Sequence, residues 1–322
     1  MVWLSSIHDI RSGGFIKLVS SLIVVWIIAF LGPSKKSLSD AVANQLAKLP
    51  SMQLDWDDAD TPWAHYNKTK LALIIDSRPL TTLAPLVLQM MVNVPHDWPF
   101  LFLGSTQSIA VVNSSRAIQE KEASGRLRFQ TIESDYHSVE GSHRLLANPK
   151  LYDEMLPRSV EHLFVFSRDS TICANALRSL DDWLAYDWIS GPKNDKDSQA
   201  FKGSGGFSLR RVSTVRRILA FQQRDDDTIA EDQFLSYRMT TTPDAVIPNA
   251  TEASEFVTDH VYHKNSFGIH IGDMSKSMAE VWDNHDRRMA IYRHCPELKM
   301  AMAPMKLTRE KCDEPKAEEK DS

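Results

Sequence analysis

Short uncharged apolar runs alternate along this chain with longer segments whose apolar residues recur every three or four positions. Leu71-Ala-Leu-Ile-Ile75 is a continuous run of strand length, and Pro79 restarts the chain before Leu83 to Val92 takes up a helical period. Trp98 to Leu103 predicts a second strand and Ser108 to Glu122 a helix. Gly125 marks a turn, after which Arg126 to Ile132 alternates like a third strand. His143 to Met155 has helical spacing, and Leu163-Phe-Val-Phe166 follows as a buried strand that stops at Ser167-Arg168-Asp169. This rhythm predicts an α/β fold: a mainly parallel, Rossmann-type sheet with right-handed crossovers and flanking helices.

The second half is less regular. Ser190 to Lys202 reads as a polar loop, Phe207 to Leu209 as a short strand, and Val212 to Gln223 and Ile229 to Met239 as helices. Phe267-Gly-Ile269 is one more short strand, and Ser275 to Tyr292 is an amphipathic closing helix.

At the N-terminus, Phe15 to Leu31 is apolar except for Lys17, Ser20 and Ser21. A helix of that length spans roughly 25 Å, the short end for a bilayer. Phe30 and Leu31 stand where a signal peptidase needs small residues, which favours a retained anchor over a cleaved signal peptide. Arg11 and Lys17 balance Lys35 and Lys36, so charge alone does not orient it. The expected organisation is a cytosolic tail over 1–14, a transmembrane signal anchor over 15–32, and a stem over 33–70. A single domain over 71–295 and a charged, disordered tail over 296–322 follow.

A formal net charge of −5 gives no general attraction to nucleic acid, so any field that steers a substrate is local. Three cysteines make neither a disulfide framework nor a zinc spacing. Cys173 is expected as a buried thiol, and Cys295 with Cys312 as a possible pair in an oxidising lumen. Asn67-Lys-Thr, Asn113-Ser-Ser and Asn249-Ala-Thr satisfy the glycosylation acceptor rule.

Asp169 lies just past the carboxyl end of its strand, where open α/β sheets bind ligands. A carboxylate there can hold a divalent cation against a phosphate. Four Asp-x-Asp pairs occur elsewhere, at Asp55/Asp57, Asp58/Asp60, Asp195/Asp197 and Asp225/Asp227, but each sits in a polar linker with no strand before it. Gly205 and Gly206 permit close backbone approach to a ligand. Arg210 has a forked donor set suited to a diphosphate, with a solvated helix start as the alternative. Glu231 and Asp232 open a helix, which the macrodipole alone would explain; a carboxylate there can also deprotonate a bound hydroxyl. His270 ends an apolar strand, and a neutral imidazole can complete a manganese site. Trp183, Tyr186 and Trp188 can stack on a sugar or simply fill the core.

Several of these pieces recur together. Ile75-Asp76-Ser77-Arg78-Pro79, Trp98-Pro99-Phe100, and Ser167-Arg168-Asp169-Ser170 with Cys173 are followed by Trp183-Leu-Ala-Tyr-Asp187 and Gly191-Pro192. The Gly-rich segment from Gly203, Glu231-Asp232 and Tyr262-His263 through His270 complete the order. Over Leu71 to Asp286 the chain resembles a fungal family of glycosyltransferase-like proteins whose domain is formally of unknown function and which is related to GT-A sugar transferases. The resemblance implies a GT-A-like, membrane-anchored enzyme that moves a sugar from a nucleotide-sugar donor to a hydroxyl of a glycan, protein or lipid, assisted by Mn²⁺ or Mg²⁺. It implies a single-pass type II protein of the Golgi or ER with a lumenal domain. It assigns the cation to Asp169 and His270, and the donor to Asp76, Arg78, Arg168, Asp169, Gly205, Gly206 and Arg210. Asp232 becomes the base and Glu231 its support. Two departures stand out: Ser167 occupies the place of the first acid, and Ser204 stands where relatives carry Asn. They keep open an inactive glycan-binding protein. A nucleotidyltransferase is disfavoured, because no basic Gly-rich phosphate loop follows the first strand.

Overall fold

The computed structural model describes residues 65–192, 203–272 and 284–301. All of them belong to one compact unit, Gln53–Ser322. The predicted tail, anchor and most of the stem lie outside the described residues, as do residues 193–202, the first part of the closing helix and the C-terminal tail beyond 301. Among the described residues no helix is long and apolar enough to cross a membrane.

The strands are β1 (Lys70–Ile75), β2 (Phe100–Gly104), β3 (Leu127–Thr131), β4 (His162–Phe166), β5 (Ser170–Ile172), β6 (Trp188–Pro192), β7 (Gly203–Arg211), β8 (Val257–Thr258) and β9 (Gly268–His270). The helices are α1 (Leu83–Asn93), α2 (Thr106–Asn113), α3 (Arg116–Ala123), α4 (Val139–Leu146), α5 (Val212–Leu219), α6 (Glu231–Thr241), α7 (Ala250–Phe256), α8 (His285–His294) and α9 (Leu298–Ala301).

The main sheet has the order β3-β2-β1-β4-β7-β6. β1, β2 and β4 read as nearly unbroken apolar runs because both of their faces are buried, whereas β3, at the edge, alternates. Ala72, Phe102 and Phe164 point to one side, against α1, α2 and α3. Leu71, Leu101 and Leu163 point to the other, against α4, α5 and α6. The result is a three-layer α/β/α arrangement.

The expectation of a mainly parallel sheet holds for β1 to β4 and fails beyond them. β7 runs antiparallel to β4, and β6 antiparallel to β7, so the sheet is mixed. The reason is connective: a parallel neighbour needs a crossover of a dozen or more residues, and only residues 193–202 separate β6 from β7. β7 is also far longer than the predicted Phe207 to Leu209, because the Gly-rich segment is part of the strand. Local breakers redraw the helices. The segment from Ser108 to Glu122 divides at Ser114 and Ser115. The helix predicted from His143 begins earlier, where the Ser138 hydroxyl accepts the Gly141 N–H, and it stops before Pro149.

A three-stranded second sheet, β5-β9-β8, stands beside the first. A Cys173–Cys295 disulfide, with Cα atoms 4.6 Å apart, ties the residue after β5 to the end of α8. This replaces both cysteine expectations: Cys173 is not a free thiol, and Cys295 is not the partner of Cys312. Spacing cannot announce a pair whose members are 122 residues apart and meet only through the fold.

Candidate functional site

β1 leads through β2 to β3 on one side of the sheet, and the chain then returns to place β4 on the other side of β1. Ligands of open α/β sheets bind at such a reversal, outside the carboxyl ends of the strands. Asp76 follows β1 and Ser167-Arg168-Asp169 follows β4, so the fold brings both to that point.

Asp76 is buried and shapes its own turn. Its Oδ1 accepts the Arg78 backbone N–H and Nε–H, each at 2.9 Å, and its Oδ2 accepts Nη2 at 2.6 Å. The Arg78 side chain stays 46% exposed and borders the cavity described below. At the end of β4, the Ser170 hydroxyl donates to the Ser167 carbonyl at 2.7 Å and accepts the Ser167 N–H at 3.1 Å. The Ser167 hydroxyl in turn bonds the Asp169 carboxylate. Ser167 therefore orients Asp169.

β5 pairs with β9 so that Ser170 lies opposite His270. His270 Nε2 lies 3.6 Å from Asp169 Oδ1, and Nδ1 lies 3.1 Å from Asp259 Oδ2. Burial opposes a charged ring, but Asp259 and Asp169 outweigh it and raise His270 to about 10. Burial likewise works against the Asp169 carboxylate, yet His270 and the Ser167 hydroxyl hold it well below the usual carboxylate range. Gly206 on β7 passes directly over the imidazole, where any Cβ would collide with the ring.

The first turn of α6 forms the opposite wall. Glu231 is paired with Arg210 in full burial, and Arg210 also donates from Nε to Ser208 Oγ at 3.0 Å and lies 4.4 Å over the Trp188 ring. Burial, reinforced by the Asp232 charge, pushes Glu231 up to about 6 against the pull of Arg210. Asp232 accepts the Gly205 N–H at 2.9 Å on Oδ2 and the Gln233 N–H at 2.8 Å on Oδ1. A Cβ on Gly205 would stand 2.9 Å from that of Asp232, so the glycine lets the strand approach the acid. His143, from α4, accepts the Glu231 N–H at 3.4 Å on Nδ1, and burial lowers its pKa.

These groups enclose a cavity of about 580 Å³. Asp76, Arg78, Arg168, Asp169, Gly205, Gly206, Glu231, Asp232 and His270 all line it. Arg210 does not: the phosphate contact expected of it gives way to a buried ion pair, because its side chain runs inward toward Glu231. Trp183 and Trp188 are fully buried in the core, and neither they nor Tyr186 border the cavity.

Among the described residues no set of three or more His, Cys, Asp or Glu side chains is grouped to hold a metal ion. Asp169 Oδ1 and His270 Nε2 lie 3.6 Å apart and become two donors to one ion when the cation displaces the Nε2 proton that the neighbouring acids otherwise hold on the ring. Bonds of about 2.1 Å to one ion span such a separation at an open angle, and Mg²⁺ sites commonly take one or two protein ligands and fill the rest with phosphate and water. The pair fits that partial role.

Sequence reasoning missed two groups. Asp259 comes one residue, Thr258, after the short apolar pair Phe256-Val257, a pattern like the one that exposed Asp169, and was legible on that ground. His143 lies inside a helix and carried no such signal.

The model of a family described only as a protein of unknown function (DUF5672) matches residues 126–270. No curated protein matches the chain. Similar solved structures include the mannosyltransferase PcManGT from Pyrobaculum calidifontis in complex with GDP-Man and Mn²⁺, at 13% identity and a TM-score of 0.41, over 83% of this chain and 70% of that one. The galactosyltransferase LgtC with donor and acceptor sugar analogues is 11% identical with a TM-score of 0.39, over 70% of this chain and 96% of that one. The mannosyltransferase Ktr4p from S. cerevisiae with GDP is 9% identical with a TM-score of 0.38, over 80% and 96%.

Proposed function

We propose that this chain is a GT-A-like glycosyltransferase that moves a sugar from a nucleoside-diphosphate donor to a hydroxyl of a glycan, protein or lipid. One observation carries the reading: two strand-end acids, a paired histidine, two cavity-lining arginines and a helix-initial acid pair line one cavity at the sheet's reversal point.

In this reading Arg168 meets the diphosphate with its forked donors, and Arg78, whose Nε and Nη2 are held by Asp76, adds its charge and Nη1. Asp169 and His270 hold Mn²⁺ or Mg²⁺, whose contribution is to neutralise the charge of the leaving diphosphate. Asp232 takes the proton of the acceptor hydroxyl as the new glycosidic bond forms and the bond to the diphosphate breaks. Glu231 acts indirectly: its ion pair with Arg210 anchors the start of α6 and so sets where Asp232 stands. The reading includes the single-pass, type II, lumenal placement in the Golgi or ER. The buried Cys173–Cys295 disulfide supports an oxidising compartment.

The test is hydrolysis of a panel of UDP- and GDP-sugars with and without Mn²⁺. Turnover should require the cation, vanish in Asp169→Ala, and fall by about 10² to 10⁴ in Asp232→Asn. Nucleotide-sugar binding without turnover would point to a glycan-binding protein that lacks catalysis. Release of pyrophosphate from a nucleoside triphosphate would point to a nucleotidyltransferase.

A further inference from the structure

β8 runs parallel to β9 with Thr258 opposite Ile269, so the next residues along, Asp259 and His270, stand side by side. The Asp259 side chain is 2% exposed. Gly191 on β6 leaves the room for it, since a Cβ there would come within 2.7 Å of the Asp259 Cβ. An ionised carboxylate taken out of water costs several kcal/mol unless its partners compensate. Here Asp259 Oδ2 has, at 3.1 Å, the His270 ring nitrogen that faces away from Asp169, while His260 Nε2 lies farther off, 3.8 Å from Oδ1. With Gly206 passing over the ring, the imidazole is restrained on its face and at both nitrogens.

We propose that Asp259 is a positioning residue for a divalent-cation site. By accepting the Nδ1–H of His270 it leaves Nε2 as the nitrogen offered beside Asp169, the arrangement that carboxylates impose on metal-ligating histidines. The inference rests on the reading of Asp169 and His270 as a cation-holding pair.

The experiment uses the full chain, with GDP and UDP present in turn, and follows free Mn²⁺ by electron paramagnetic resonance. Asp259→Ala should weaken Mn²⁺ binding about 10- to 100-fold. Asp259→Asn should weaken it less, because the amide oxygen still accepts the Nδ1–H. Asp169→Ala should abolish it. If Asp259→Ala binds Mn²⁺ like the wild type while Asp169→Ala does not, the positioning role falls and the cation reading stands. If Asp169→Ala and His270→Ala also bind like the wild type, the cation reading itself falls, and this inference with it. Should Asp259→Ala fail to fold, the wild-type protein supplies the second readout. Long-range ¹⁵N–¹H correlation at saturating Mg²⁺ and GDP should show His270 protonated at Nδ1. A ring protonated at Nε2 alone would overturn the proposal.

Discussion

Replacing Arg210 with methionine separates the structural acid of this site from the chemical one. Arg210 is fully buried and Glu231 nearly so. The substitution removes the guanidinium bonds to Glu231 and Ser208 and leaves a carboxylate in the protein interior. Breaking one side of a buried pair costs about 3–5 kcal/mol, a large share of the roughly 5–15 kcal/mol that holds a domain folded. The loss should depend on pH in a definite sense. Glu231 already titrates near 6, above its ordinary 4.5, and without Arg210 burial pushes it higher. A carboxyl raised in the folded state is fully accommodated below its unfolded value and destabilises as pH climbs toward the folded one. Each pH unit in that window costs about 1.4 kcal/mol. The Arg210→Met deficit should therefore be small near about pH 5 and approach its full size near about pH 7.5. Urea unfolding followed by tryptophan fluorescence at both pH values measures it, and Arg210→Met/Glu231→Gln should recover most of the loss at the higher pH. A deficit below about 1 kcal/mol at neutral pH, or one that is equal at both pH values, would refute the buried-pair assignment and return Arg210 to the candidates for phosphate binding.

Gly206→Ala drives a methyl group into the His270 ring, and β7 cannot retreat because the Ser167 N–H bonds the Gly206 carbonyl at 2.8 Å. Thermal melts should show a loss of about 1–3 kcal/mol, accompanied by weaker Mn²⁺ binding. The disulfide closes a separation of 122 residues, so Cys173→Ser/Cys295→Ser should lose up to about 5 kcal/mol in chemical denaturation. Glu140 receives a bidentate Arg224 at 2.7 Å on each oxygen, which lowers it to about 2. Its contribution is present above its ordinary 4.5 and lost as pH falls toward 2, so Glu140→Gln should lower Tm at neutral pH and converge with the wild type in strong acid.

The parallel half of the sheet was legible in the linear pattern because strands buried on both faces, such as Leu71 to Ile75 and Leu163 to Phe166, must be apolar at every position. For the same reason an acid that ends such a run stands out, which is how Asp76 and Asp169 could be placed at the sheet's carboxyl edge. Those facts are local: burial imposes a period on neighbouring residues, and the period survives in the sequence. What surrounds the acids is not local. Gly206 is glycine because of a histidine 64 positions later, Arg210 is neutralised by an acid 21 positions later, and Cys173 waits for Cys295. The antiparallel entry of β7, the Asp259–His270 contact and the conversion of Arg210 from ligand candidate to buried counter-ion all depend on which distant surfaces meet. Only the packed tertiary structure decides that, because no period along the chain records the identity of a partner contributed by another element.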